Sequence, residues 1–159
     1  VQRWHTRPTH RSQNVAEHTW QVMRLYIEMF GVPSSHVLMS VMYHDAAELV
    51  TGDVPFSAKR FGETGSDLKK VLTRLEHEAS IVMELPTHNS VTALDAARLK
   101  ICDLLDMVEF AREAQLAGDH RLDDVYDGLR EIVRHMVRDL DQEDRDAVLE
   151  KIVEIAKWT

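Results

Sequence analysis

An all-α fold, a single bundle of six or seven helices spanning residues 1–159, follows from three observations on the sequence. Apolar residues recur at helical spacing in one segment after another. Most of these segments are bracketed by residues that start or stop helices. No stretch alternates with a strand period over a useful length.

The elements can be justified in order. Asn14 is a natural N-cap for a helix over about 15–30, and Gly31 and Pro33 close it. Val15, Val22, Leu25, Tyr26 and Met29 mark its apolar side. Ser34 or Ser35 caps a second helix running to about Val50, with Val37, Leu38, Val41 and Met42 inward. Thr51-Gly52-Asp53 breaks it, and Pro55 blocks a quick restart. A loop over 53–65 follows, with Phe56 and Phe61 as anchors. The next helix runs from Ser66 to about Glu84 and ends at Pro86. A long one from about Ser90 to Ala117 stops at Gly118. Another covers 120–140, and Asp141 caps the last, to about Lys157.

Composition narrows the function classes. At roughly 150 residues per domain, 159 residues make one domain. The chain is 44% hydrophobic and 29% charged, too apolar for disorder. One cysteine, Cys102, excludes an internal disulfide framework and a zinc finger, and suits a reducing compartment. No apolar run approaches the ~18 residues of a membrane span. No signal peptide is evident, so the expected location is the cytoplasm, although the chain begins at Val1 without a methionine and leaves open what precedes it. A net charge of −8 argues against a nucleic-acid polymer as partner. It leaves room for a small anionic substrate, because a metal or local Arg and Lys can reverse the field in one cleft. Residues 1–24 supply such cations, with Arg3, Arg7, Arg11 and Arg24 against Glu17 alone.

The chemistry-bearing residues fall on three predicted helices. The first carries His18 among apolar neighbours. The second carries Tyr43-His44-Asp45-Ala46-Ala47-Glu48, with Glu48 one turn beyond His44 on the same face. The long helix carries Lys100-Ile101-Cys102-Asp103. Convergence of His18, His44, Asp45 and Asp103 would give two imidazoles and two carboxylates, a mixed donor set for one divalent metal. Each residue also has a plain alternative. A lone His can be a hydrogen-bonded core residue. Asp103 can pair with Lys100, or help solvate a face with Asp106. Cys102 reads as core. Pairs such as Glu109 with Glu113 read as ordinary charged faces, and the remaining histidines as surface residues.

The order of these residues is more specific than any one of them. Arg3-Trp4, then Asn14-Val15-Ala16-Glu17-His18-Thr19-Trp20-Gln21-Val22, then Tyr43 to Asp53 with Pro55 and Lys59, and finally Asp103, resembles the HD superfamily of metal-dependent phosphohydrolases. Within it, the pattern is similar to bacterial 5′-deoxynucleotidases and to small phage-type enzymes that hydrolyse deoxyadenosine triphosphate. The resemblance is dense over 3–59, returns at Asp103, and beyond about 110 offers only helix.

That resemblance implies an HD-domain fold and a role for each residue. His18, His44, Asp45 and Asp103 would be metal ligands. Glu48 would be the general acid or base beside the attacking water, with Asp53 assisting it or positioning the sugar. Arg3 would hold phosphate, Trp4 would shape the sugar and base pocket, and Lys59 would reach phosphate. The physical logic agrees: a divalent cation offsets the charge that repels a nucleophile from a phosphate ester, and lowers the pKa of water. Arg3 offers a planar fork for phosphate oxygens. The donor set suits Mn, Co, Fe or Zn, with Mg less favoured by imidazole.

The expected function is therefore hydrolysis of the 5′ phosphate ester of deoxynucleotides. A 5′-deoxynucleotidase acting on monophosphates comes first. A triphosphohydrolase releasing tripolyphosphate is the alternative, toward which the compact spacing of His18 and His44 leans and which extra cations such as Arg7, Arg11, Arg60 and Lys100 would permit. A non-catalytic metal-binding helical module is a further alternative, against which stands the presence of both Arg3 and Glu48. No membrane is expected as partner, and homo-oligomerisation is.

Overall fold

A computed structural model describes residues 2–4, 7–46, 48–52, 54, 62–85 and 91–159. Seven α-helices account for most of the described residues: α1 (Val15–Phe30), α2 (Ser35–Tyr43), α3 (Glu48–Thr51), α4 (Gly62–Val82), α5 (Ala93–Leu116), α6 (Asp123–Met136) and α7 (Gln142–Ala156). A 3-10 turn at Val137–Asp139 joins α6 to the approach of α7. The all-α expectation holds.

Side-chain caps set several boundaries. The Asn14 side chain accepts a hydrogen bond from the Glu17 amide at 2.9 Å, so α1 starts at Val15. Gly31, at φ 81°, ends it, and its N–H donates to the Ile27 carbonyl. Ser34, Thr92 and Asp141 cap α2, α5 and α7 in the same way.

α5 is the central helix. It packs against α1 and α6, and also against α7. Its Ile101, Leu104, Leu105, Val108 and Phe110 are almost fully buried, together with Leu25 of α1 and Ile152 and Ile155 of α7. Burying a side chain of that size contributes roughly 1.5–3 kcal/mol, so this layer dominates the stability of the bundle. Cys102 lies in it at 0% exposure, as expected of a core residue.

Four expectations about the elements need correction, besides Leu38 and Met42 of α2, which face outward where the sequence puts them inward. The second helix does not run to Val50; it ends at Tyr43, and α3 starts at Glu48 after a turn. The cause is local. His44 Nδ1 donates to the Val41 carbonyl at 2.7 Å, taking the acceptor that a continuing helix would offer to the Asp45 amide. The chain tightens instead, with Ala46 N–H to Tyr43 O and Glu48 N–H to Asp45 O. His44 and Glu48 therefore do not share one helix face. Second, α4 begins at Gly62, four residues before the expected Ser66. Third, α5 begins at Ala93, where Thr92 caps it, and not near Ser90. Fourth, a two-residue antiparallel pairing joins β1 (Gln2–Arg3) to β2 (Gln13–Asn14), with Arg3 opposite Gln13. A pairing this short carries no alternating pattern to read. It returns the N-terminal segment to the start of α1, beside α5.

Candidate metal centre

The site forms where α1, the turn after α2, and α5 meet. His18 is completely buried in the first turns of α1. Its Nε2 lies 3.1 Å from Nε2 of His44, 3.4 Å from Oδ2 of Asp45 and 3.3 Å from Oδ1 of Asp103. His44 Nε2 is also 3.4 Å from Asp45 Oδ2. Donor atoms of His18, His44 and Asp103 all lie within 4.8 Å of one another, an arrangement that can hold a metal ion. The structure thus brings together all four residues that the sequence singled out as ligands.

Both imidazoles are oriented by their other nitrogen. His18 Nδ1 donates to Asp106 Oδ2 at 2.6 Å, and His44 Nδ1 donates to the Val41 carbonyl. Each ring therefore turns Nε2 toward the carboxylates, as a ligand pair requires. The same bond that breaks the helix after Tyr43 orients one of the two rings.

The site is strongly polarised. Burial pulls the His18 pKa down, but Asp103 and Asp106 outweigh it and raise it from 6.5 to about 9. Burial pushes Asp103 up, yet His18, Lys100 and Arg3 hold it well below the usual carboxylate range. Arg3 Nη1 donates to Asp45 Oδ2 at 2.7 Å, and Nη2 lies 3.8 Å from Asp103 Oδ1. Lys100 Nζ donates to the other Asp103 oxygen at 2.5 Å. Asp103 is both a cluster member and the partner of Lys100; the two readings of it are compatible.

Asp106 is the residue to which the sequence assigns no role. It enters there only in the plain alternative of a solvated face shared with Asp103, but it is 2% exposed and holds His18. Its only signal is a second acid three residues after Asp103 on a core-like helix. Gln13 had no signal at all. Its side chain bridges Trp4 and Asp106: the indole Nε1 donates to Gln13 Oε1 at 3.0 Å, and Gln13 Nε2 donates to the two Asp106 oxygens at 3.1 and 2.9 Å.

Other expectations resolve as follows. Trp4 has a positive φ of 62° and stacks on Phe110, with centroids 5.1 Å apart and planes 9° apart. That backbone costs on the order of 1–3 kcal/mol and is held by the stack and the Gln13 bond. Glu48 is buried at the first position of α3, just after the His44–Asp45 turn. Arg7 is forked onto Asp124, and Arg11 is bonded to Glu17 and Glu113. Glu109 is not an ordinary charged face: it is 4% exposed against Arg24, and burial pushes it up to about 7. Glu113, likewise, is spent on Arg11. His10 is no free surface residue either, since its ring packs 5.3 Å from that of Phe110. Asp53, Lys59, Pro55, Phe56, Phe61 and Arg60 lie outside the described residues.

Residues 1–94 match the 5′-deoxynucleotidase YfbR-like family. A dATP triphosphohydrolase of Cyanophage S-2L is 33% identical over 130 residues, covering 77% of this chain and 70% of the phage protein. The chain belongs to the YfbR-like family of HD phosphohydrolases. It is a hydrolase of that class. The 5′-deoxynucleotidase YfbR of Escherichia coli (strain K12 / DH10B) is 28% identical over 92 residues, 52% of this chain. That match spans about half of the bacterial protein, 46% of its length. A solved structure of the Cyanophage S-2L HD phosphohydrolase DatZ, bound to dA and one catalytic Zn2+ ion, superposes with a TM-score of 0.73. It shares 25% identity and covers 99% of this chain and 92% of its own. The YfbR-like match holds Arg3, His18, His44, Asp45 and Glu48; Asp103 and Asp106 lie beyond it and join the site only through the packing of α5 on α1.

Proposed function

We propose that the chain is a divalent-metal-dependent phosphohydrolase that cleaves the 5′ phosphate ester of deoxynucleotides, with deoxynucleoside monophosphates as its first substrate class. The observation that carries this is the set of three donors, from His44, Asp45 and Asp103, gathered around His18 Nε2, with the Arg3 guanidinium against the two carboxylates.

His18 and His44 would hold the ion through Nε2, and Asp45 and Asp103 through one oxygen each. A bound divalent ion supplies charge neutralisation at the phosphate and lowers the pKa of water. Arg3, beside the carboxylates of the cluster, would bind phosphate oxygens through its planar fork. Glu48, buried at the first position of α3 just after the His44–Asp45 turn, would move the proton between the attacking water and the leaving oxygen. Trp4 would wall the sugar and base pocket. Asp53 would assist Glu48 or position the sugar, and Lys59 would reach phosphate. Zn, Mn, Co and Fe fit the donor set better than Mg.

The charges nearby favour a monophosphate. Arg7 and Arg11, which a triphosphate would recruit, are held by acids on α1, α5 and α6. Arg3 and Lys100 border the cluster itself. A specific observation favours the second reading, a dATP-type triphosphohydrolase: the phage relatives match far more of this chain than the bacterial ones do. Homo-oligomerisation belongs to the same proposal and is supported by exposed large apolar side chains such as Trp20 at 63%. So does residence in the cytoplasm, supported by the single buried cysteine; among the described residues no helix is long and apolar enough to cross a membrane.

Product analysis tests the assignment. Metal-stripped protein is given Mn, Co, Zn or Mg and each deoxynucleoside mono- and triphosphate, with ribonucleotides as controls. Phosphate from monophosphates is expected. Tripolyphosphate from a triphosphate establishes the second reading, and no product with any metal leaves a binding module.

A further inference from the structure

We propose that Gln13, granted the reading of His18 as a metal ligand, is a positioning residue: its amide fixes the Asp106 carboxylate that orients the His18 ring, and ties that ring to the Arg3–Trp4 turn.

Gln13 is 1% exposed, and its backbone lies opposite Arg3 in the β1–β2 pairing. An amide side chain has a donor end and an acceptor end, and its neighbours decide which faces where. Here one neighbour leaves no choice. The Trp4 indole can only donate, so Gln13 Oε1 must face it. The NH2 group must then face Asp106, where it contacts both oxygens. Asp106 also accepts from His18 Nδ1. The bonds run from the Trp4 indole through the Gln13 amide to Asp106, which also accepts the hydrogen bond donated by His18 Nδ1–H. His18 Nε2 is left aimed at His44, Asp45 and Asp103. Removing the Gln13 amide frees Asp106 to rotate, and the ring with it.

A buried amide that merely stabilised the fold would not affect metal coordination selectively, and this separates the two roles. The full chain is stripped of metal and titrated with Co2+, following the visible absorption bands, for wild type, Gln13→Met, Asp106→Asn and His44→Ala. Gln13→Met is expected to weaken Co2+ binding about 10–100-fold, the usual cost of losing support behind a ligand. Its Co2+ bands should shift in the direction seen with Asp106→Asn, a change of coordination that a lower melting temperature alone does not produce. Wild-type affinity and bands in Gln13→Met overturn the role of Gln13. In that case, loss of Co2+ binding in His44→Ala still leaves the metal centre standing. A wild type that takes up no Co2+ overturns both. Should Gln13→Met fail to fold, NMR of the Zn-loaded wild type decides. The Gln13 side-chain amide protons are expected to exchange far more slowly than those of free glutamine, with His18 in the Nδ1–H tautomer. Exchange at the free rate, or the other tautomer, overturns the proposal.

Discussion

With His18 as a ligand, as proposed, a proton and a metal ion would compete for one nitrogen. Its pKa of about 9 means that the metal-free protein carries an imidazolium there at neutral pH. A cation must displace the proton on Nε2, so Co2+ affinity should rise with pH, roughly tenfold per unit, and level off near pH 9. Calorimetry in buffers of different ionisation enthalpy should show release of about one proton. Glu48→Gln should retain Co2+ affinity and lose on the order of 10²–10⁴ in turnover; loss of the metal instead would place Glu48 among the groups that hold the ion. Arg3→Ala should raise KM by about 10–100-fold, the worth of a charged hydrogen bond to phosphate, and an unchanged KM would remove Arg3 from that role. The four donors were legible because their order along the chain is distinctive. Asp106 and Gln13 were not, because a buried carboxylate and a solvated one look alike until the residue facing them is known.

Among the elements, legibility followed caps. Asn14 and Gly31 fixed both ends of α1 because the chemistry of each end lies within a few residues of it. Asn14→Ala should cost about 1 kcal/mol, a fall of roughly 2–4 °C in melting temperature for a domain this size. The break between α2 and α3 was hidden for the opposite reason. No Gly or Pro marks it, and it arises from one imidazole bonding the Val41 carbonyl. The β1–β2 pairing was hidden too, since two residues show no period. These two unread features place His44, Asp45, Arg3 and Gln13. Those parts of the site stand where local propensity is overridden, whereas His18, Asp103 and Asp106 stand on helices that follow it.

For the molecule as a whole, buried charge sets the response to pH. His18 has a folded pKa above its ordinary value, so its contribution to stability is complete below about pH 6.5 and is lost as pH rises through 9. Glu109 is raised from 4.5 to about 7, so the fold holds its proton too, and that contribution disappears as pH rises through 7. Without metal, the melting temperature should therefore fall between pH 5 and 9, by roughly 5–10 °C. In Glu109→Gln the part of that fall below pH 7 should vanish; a flat profile in the wild type would contradict both shifts. Zn2+ should flatten the upper part, because it takes the place of the His18 proton. The arrangement of the donors has one more effect. Asp45 and Asp103 stand at the two ends of a long stretch that includes α3, α4 and the start of α5. An ion held by both, as proposed, would turn that stretch into a closed ring, a removable clasp on a chain with a single cysteine. Limited proteolysis between residues 46 and 102 should slow when Zn2+ is added and resume when a chelator opens the clasp.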